Sequence, residues 1–128
     1  MTINRFEDLE CWQDARELCK YVERISLHVK FKCDLNHVEQ IKNSSGSAID
    51  NIAEGFGRNG NKEFINFLYI SIGSACETKS QIIRAYDKNY INEEEFKEGL
   101  DLAEITIKKT SALATYLKNS GYKGSKFK

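Results

Sequence analysis

Ser47, Asn51, Glu54 and Arg58 are spaced four, three and four residues apart, which strings four polar side chains along one line of a helix. Glu77 and Arg84 make a comparable line in the following segment. Two chemistries fit such lines. They can form a binding surface or conduit, facing a central pore if the protein is a ring, or they can fix helix register through interhelical hydrogen bonds and ion pairs or simply make a solvated face. The second is expected here, with Arg58 meeting an acid of a neighbouring helix or subunit.

Glu54 and Glu77 suggest a carboxylate metal site, but di-iron centres in bundles need Glu-x-x-His from two helices. Neither His28 nor His37 has a glutamate three residues before it, and Asp34, which does stand there for His37, lies at a break in the helical pattern. No serine or cysteine nucleophile stands in recognisable relation to either histidine, so both are expected at the surface or at helix ends. Cys11, Cys19, Cys33 and Cys76 include no C-x-x-C pair, which removes tetrahedral zinc spacing, and reduced thiols are expected. Gly55, Gly57 and Gly60 lack the lysine and threonine of a phosphate loop and follow no strand. No catalytic residue, metal or cofactor is expected, and the chain does not read as an enzyme.

Arg58, Lys62, Lys108 and Lys109, with Lys123 and Lys126 near the C-terminus, are the places best suited to touch an RNA phosphate. Tyr122 and Phe127 stand among the last lysines as stacking groups. The overall charge opposes this use: 19 basic and 19 acidic residues cancel, whereas a protein relying on phosphate contacts usually carries a basic excess.

These residues are positioned by helices. The 128 residues contain no proline, 41% are hydrophobic and 30% charged, a globular balance with no apolar run of membrane length. Apolar residues recur at helical intervals through most of the chain. In the first helix, expected from about Leu9 to Phe31, Trp12, Ala15, Cys19, Val22, Ile25 and Val29 share one face. Asn36 and Glu39 make a capping-box pair for the second, which runs to about Phe56 with Val38, Ile41, Ser45, Ala48, Ile49, Ile52 and Phe56 inward. Asn61 caps the third, which ends near Lys88, and Asn92 with Glu95 opens the fourth, which reaches Leu117. Short connections make these an all-α, antiparallel up-and-down four-helix bundle, with residues 1–117 as one domain and 118–128 as a flexible lysine-rich tail. The start lacks the features of a secretory signal, so a cytoplasmic protein with no membrane partner is expected.

The fourth helix carries one apolar stripe too many. Leu102, Ile105, Leu113 and Tyr116 lie nearly opposite Phe96, Leu100, Ala103, Ile107 and Ala114. The third helix adds Ile65, Tyr69, Ile72, Cys76 and Ile83 beside its core line of Phe64, Phe67, Leu68, Ser71, Ala75, Thr78, Ile82 and Ala85, widening its apolar arc beyond the roughly 100° that one-sided burial needs. Contiguous apolar strips of this kind mark interfaces, and a homo-oligomer is expected with Ile65, Tyr69, Ile72, Leu102, Ile105, Leu113 and Tyr116 at its contacts.

Gln40, Ile41, the run SAIDNIAEGFGR from Ser47 to Arg58, and then Lys62, Glu63, Phe64, Phe67, Leu68, Gly73, Ser74 and Glu77 resemble the four-helix bundle proteins encoded in intervening sequences of bacterial 23S ribosomal RNA genes, the S23 ribosomal protein-like family. Phe6, Asp8, Leu9, Trp12 and Ala15 are similar to that family's opening, and the resemblance spans about residues 6 to 117. It implies an up-and-down bundle, often a ring-shaped homopentamer, with relatives that include the accessory protein of diversity-generating retroelements, which associates with a reverse transcriptase and nucleic acid. The neutral charge departs from that strongly basic branch. A non-enzymatic, homo-oligomeric scaffold is the function expected; the alternative is an RNA-binding or nucleoprotein adaptor associated with ribosomal RNA or a reverse transcriptase.

Overall fold

The computed structural model describes residues 3–120. A 3-10 turn, Phe6–Asp8, leads into α1 (Glu10–Ile25), and a short α2 (Val29–Cys33) crosses to α3 (Leu35–Gly57), α4 (Asn61–Asp87) and α5 (Glu93–Asn119). The four long helices close a cycle in which α1 packs on α3 and α5, and α4 packs on the same two. Paired contacts run in opposite directions along each seam: Ser44 meets Thr78 while Ser47 meets Ser74, and Glu10 meets Lys109 while Tyr21 meets Glu95. The antiparallel up-and-down bundle follows from these registers.

The first helix is shorter than its periodicity suggests. Val22, Ile25 and Val29 keep helical spacing, yet α1 stops at Ile25 and Val29 is exposed. The Ser26 hydroxyl donates to the Val22 carbonyl at 2.6 Å, and His28 takes extended backbone at φ −61 and ψ 136. The chain then turns so that Phe31, not Val29, enters the core.

Two of the expected caps move. Asp34, not Asn36, caps α3 by accepting the His37 backbone N–H at 3.3 Å. Gly60, at φ 109, precedes α4, where a backbone of that sign suits glycine, and Asn61 instead sits buried inside the helix. Its amide donates to the Leu117 carbonyl at 3.3 Å and to the Ser120 hydroxyl at 3.0 Å, tying α4 to the end of α5. The capping box at Asn92 and Glu95 forms as expected. Asn89, at φ 63, ends α4, with the Tyr90 N–H donating to the Ala85 carbonyl at 2.9 Å.

The core has two apolar halves. One gathers Leu18, Tyr21, Val22, Ile25, Phe31, Ile41 and Ile82, and the other Leu9, Ala15, Ile52, Phe56, Phe64, Leu68 and Leu117. Between them, along α3, α4 and α5, lie Ala48, Ala75 and the buried hydroxyls Ser44, Ser71, Thr78, Thr106 and Thr110. Each hydroxyl reaches a helix carbonyl, as Thr106 does Leu102 at 2.8 Å and Thr110 does Thr106 at 2.6 Å, which removes the penalty of burying an unpaired polar group.

Candidate functional site

The polar line on α3 is turned into the α3–α4 seam for half its length. Ser47 Oγ meets Ser74 Oγ at 2.8 Å, and Asn51 Nδ2 donates back to the Ser47 carbonyl at 2.8 Å and its hydroxyl at 3.0 Å. Arg58 was expected to meet an acid on a neighbouring helix or subunit; it pairs instead with Glu54 of its own helix, at 3.0 Å. The reason is local. The chain leaves helical geometry at Arg58, with φ −78 and ψ 164, and the side chain folds back one turn, its guanidinium 5.0 Å over the Phe67 ring. On α4, Glu77 is exposed, whereas Arg84 donates to Gln81 Oε1 at 2.9 Å and Gln40 Oε1 at 3.4 Å. The register function therefore has bonds to support it. Among the described residues no group of three or more histidines, cysteines or carboxylates is placed to hold a metal ion, and no helix is long and apolar enough to cross a membrane.

Of the cations proposed for phosphate, Lys109 is already engaged. Its ammonium lies 2.8 Å from Glu10 and 3.5 Å from Asp14, clamping α5 to α1, and the Glu10 hydrogen bond raises its pKa. Lys62 and Lys108 are exposed. Lys123 and Lys126, the aromatic pair Tyr122 and Phe127, and all but the first three residues of the expected tail lie outside the described residues.

The surplus apolar stripes divide. Leu102 packs on one half of the core, and Ile65 and Leu113 pack on the other, while Ile72 is half-buried. Tyr69, Ile105 and Tyr116 stay outside, together with Ile70 and Ile83, all between 38% and 52% exposed. The inward line of α5 explains the split: Gly99, Ala103, Thr106, Thr110 and Ala114 are so small that flanking side chains lean inward over them. Beside α1, an apolar groove of about 490 Å³ remains open, lined by Ile3, Leu9, Cys11, Ala112, Leu113 and Tyr116, with Asp8, Glu10 and Lys109 at its edge. Cys11 at its base is an inert thiol, its pKa pushed up to about 11 by burial. All four cysteines are free.

One polar cluster was not anticipated. Asp34 accepts from the Tyr90 hydroxyl at 2.7 Å and from Lys88 Nζ at 3.0 Å, and Lys88 lies 3.3 Å from His37 Nδ1. His37, expected at the surface or at a helix end, stands in the first turn of α3 and is buried there, and its Nε2 faces the Gln81 carbonyl at 2.9 Å. With Nε2 donating to a carbonyl and Nδ1 facing an ammonium, the ring is held in its neutral form. Only the Asp34–His37 spacing was visible in sequence; Lys88 and Tyr90 come from 54 and 56 residues away.

This cluster sets a pH response. Desolvation, foremost, and the nearby cations lower the His37 pKa below its ordinary 6.5, so the unfolded state binds the proton more readily and stability is lost as pH falls below that value. The Tyr90 and Lys88 hydrogen bonds hold Asp34 down at about 2 against 3.8, so its contribution persists until pH falls through the range between those values. Urea midpoints measured from pH 7 to 5 are expected to fall for the wild type and to fall less for His37→Gln; equal slopes would refute the assignment.

Over residues 7–112 the chain matches the sequence profile described as 23S rRNA-intervening sequence protein. No curated protein matches it. Among solved structures it is similar to a protein of unknown function from the S23 ribosomal protein family of Bacteroides thetaiotaomicron, with a TM-score of 0.74 and 21% identity over 81% of this chain and 97% of that one. At that identity the likeness speaks for the shared fold.

Proposed function

The chain belongs to the 23S rRNA-intervening sequence protein family, and on that premise we propose that it acts without catalysis, as a self-associating helical bundle that serves as a scaffold. The observation that carries this reading is the apolar surface left after the bundle has closed: Tyr69, Ile70 and Ile83 on α4, and Ile105 and Tyr116 on α5. Single exposed apolar side chains are ordinary. Tyr69 with Ile83 on α4, and Ile105 with Tyr116 on α5, keep helical spacing and give each of two adjacent helices an exposed apolar line, and copies of the same chain are the occupants that every molecule of it meets. A closed ring is the form proposed, with five copies the number that the family resemblance implies. Buried polar groups along α3 and α4 support a rigid bundle as the building block.

Light scattering at micromolar concentration is expected to return a mass several times the 14.7 kDa of the chain; a stable monomer would sink the proposal. Because Leu102 and Leu113 also support the core, exposed positions make the cleaner variants. Ile105→Glu is expected to raise the dissociation constant roughly tenfold, matching the ~1.5 kcal/mol of one buried aliphatic side chain, with an unchanged helical circular dichroism spectrum. Unaltered assembly would remove α5 from the interface.

A further inference from the structure

The two ends of α1 carry opposite shapes. At its C-terminal end Leu27, Val29 and Leu35 project from the α1–α2–α3 connection, 71% to 80% exposed, more than any other large apolar side chains of the described residues. At its N-terminal end lies the apolar groove of about 490 Å³ beside Leu9, Cys11, Leu113 and Tyr116. We propose that the projecting connection of one copy seats in the α1–α5 groove of the next, a head-to-tail contact between two different surfaces of the same chain. This inference rests on the self-association proposed above and adds a contact that shares Tyr116 with the exposed face of α5.

Three observations select a second copy as the occupant. The first is charge. Lys30 and Lys32 flank the projection, both exposed, and among the described residues neither joins an ion pair. The groove's edge carries Asp8 and Glu10 beside Lys109; Glu10 is held by Lys109, and Asp8 meets Arg5 only at 3.6 Å with both more than half exposed. Basic edge and acidic edge are thus complementary on a chain whose net charge is zero.

The second is rigidity. The Ser26 hydroxyl is bonded to Val22 at 2.6 Å, His28 Nε2 is 2.6 Å from Glu95 Oε2, and Phe31 is fully buried. Leu27 and Val29 are therefore held outward by a fixed turn, so little ordering is lost when they are buried against a partner. The third is the apolar surface itself. The turn that brings Phe31 into the core leaves Val29 outside beside Leu27, so apolar surface is gathered on the connection.

A contact between unlike surfaces propagates to a ring or a filament, and one defective surface caps it. The test uses the full chain with two double variants, Lys30→Glu/Lys32→Glu on the projection and Asp8→Lys/Glu10→Lys at the groove. Each alone is expected to raise the dissociation constant at least tenfold with the helical spectrum intact. Mixed in equal amounts, they retain only one basic projection facing one acidic groove at the natural charges, and the complementary pair of reversed edges, so hetero-association is expected to recover at low salt. A chain carrying all four substitutions restores complementarity and is expected to assemble like the wild type. If the wild type assembles and the double variants assemble equally well, or if the fourfold variant stays as weak as either parent, the head-to-tail contact is wrong while self-association stands. A monomeric wild type would overturn both.

Discussion

Replacing Gly99 with alanine is expected to destabilise the protein by about 3 kcal/mol, although the same change in an exposed helix interior gains up to about 1 kcal/mol. Gly99 lies within α5 and is buried against Tyr21, whose ring is fully buried. A Cβ added there would fall 2.5 Å from Tyr21 Cζ and 2.7 Å from its Cε2, and closer still to the hydroxyl oxygen. The ring cannot retreat without moving the apolar half of the core around Leu18, Val22 and Ala103. It would also give up the bond its hydroxyl donates to the Glu95 carbonyl at 2.7 Å. Overpacking costs about 1–3 kcal/mol and an unpaired buried hydroxyl a similar amount, which together exceed the helical gain. The melting temperature should fall by about 10 °C at matched protein concentration. Gly46→Ala is the control: its Cβ would meet nothing within 4 Å, so it should hold or raise the melting temperature. A Gly99→Ala protein as stable as the wild type would show that Tyr21 does not rest on α5 as described.

Gly99 also shows why some of this molecule could be read from its sequence and some could not. One local signal was legible: Asn92 and Glu95 cap α5 through two bonds inside one turn, whereas Asn36 and Glu39, at the same spacing, lost the cap of α3 to Asp34. The run from Ser47 to Arg58, which carried the family resemblance, is legible for a related reason. It places Ala48, Ile52 and Phe56 inward and sets Gly55 so close to α4 that an added Cβ would fall 2.7 Å from Phe67 Cβ. Hydrophobic periodicity failed where the inward line was not hydrophobic. On α5 that line runs through Gly99, Thr106 and Thr110, and counting only apolar residues split its two flanks into opposed stripes. Both flanks lean over the same small residues, so Leu102 and Leu113 support the core and only Ile105 and Tyr116 remain outside. The cluster of Asp34, His37, Lys88 and Tyr90 was invisible for another reason: it is assembled by the meeting of two helix ends, which no local spacing encodes.

The hydroxyl belt between α3 and α4 gives the second large effect, and it bears on whether the polar line is a passage or a seam. Ser71 is fully buried on α4 and donates to the Ala48 carbonyl of α3 at 2.6 Å. One turn further along, Ser74 meets Ser47 and Thr78 meets Ser44, both at 2.8 Å. Small side chains at these crossings let α3 and α4 approach closely, so Ser71→Leu must push α4 away from α3 and break this ladder. It is expected to cost about 3 kcal/mol and roughly 10 °C in melting temperature. Ser71→Ala, which removes one hydrogen bond and adds no bulk, should cost only about 1 kcal/mol. If the line were instead a hydrated passage, leucine would displace water there and be tolerated about as well as alanine. Equal stabilities of the two variants in urea would therefore favour the passage, and a gap of about 2 kcal/mol between them the seam.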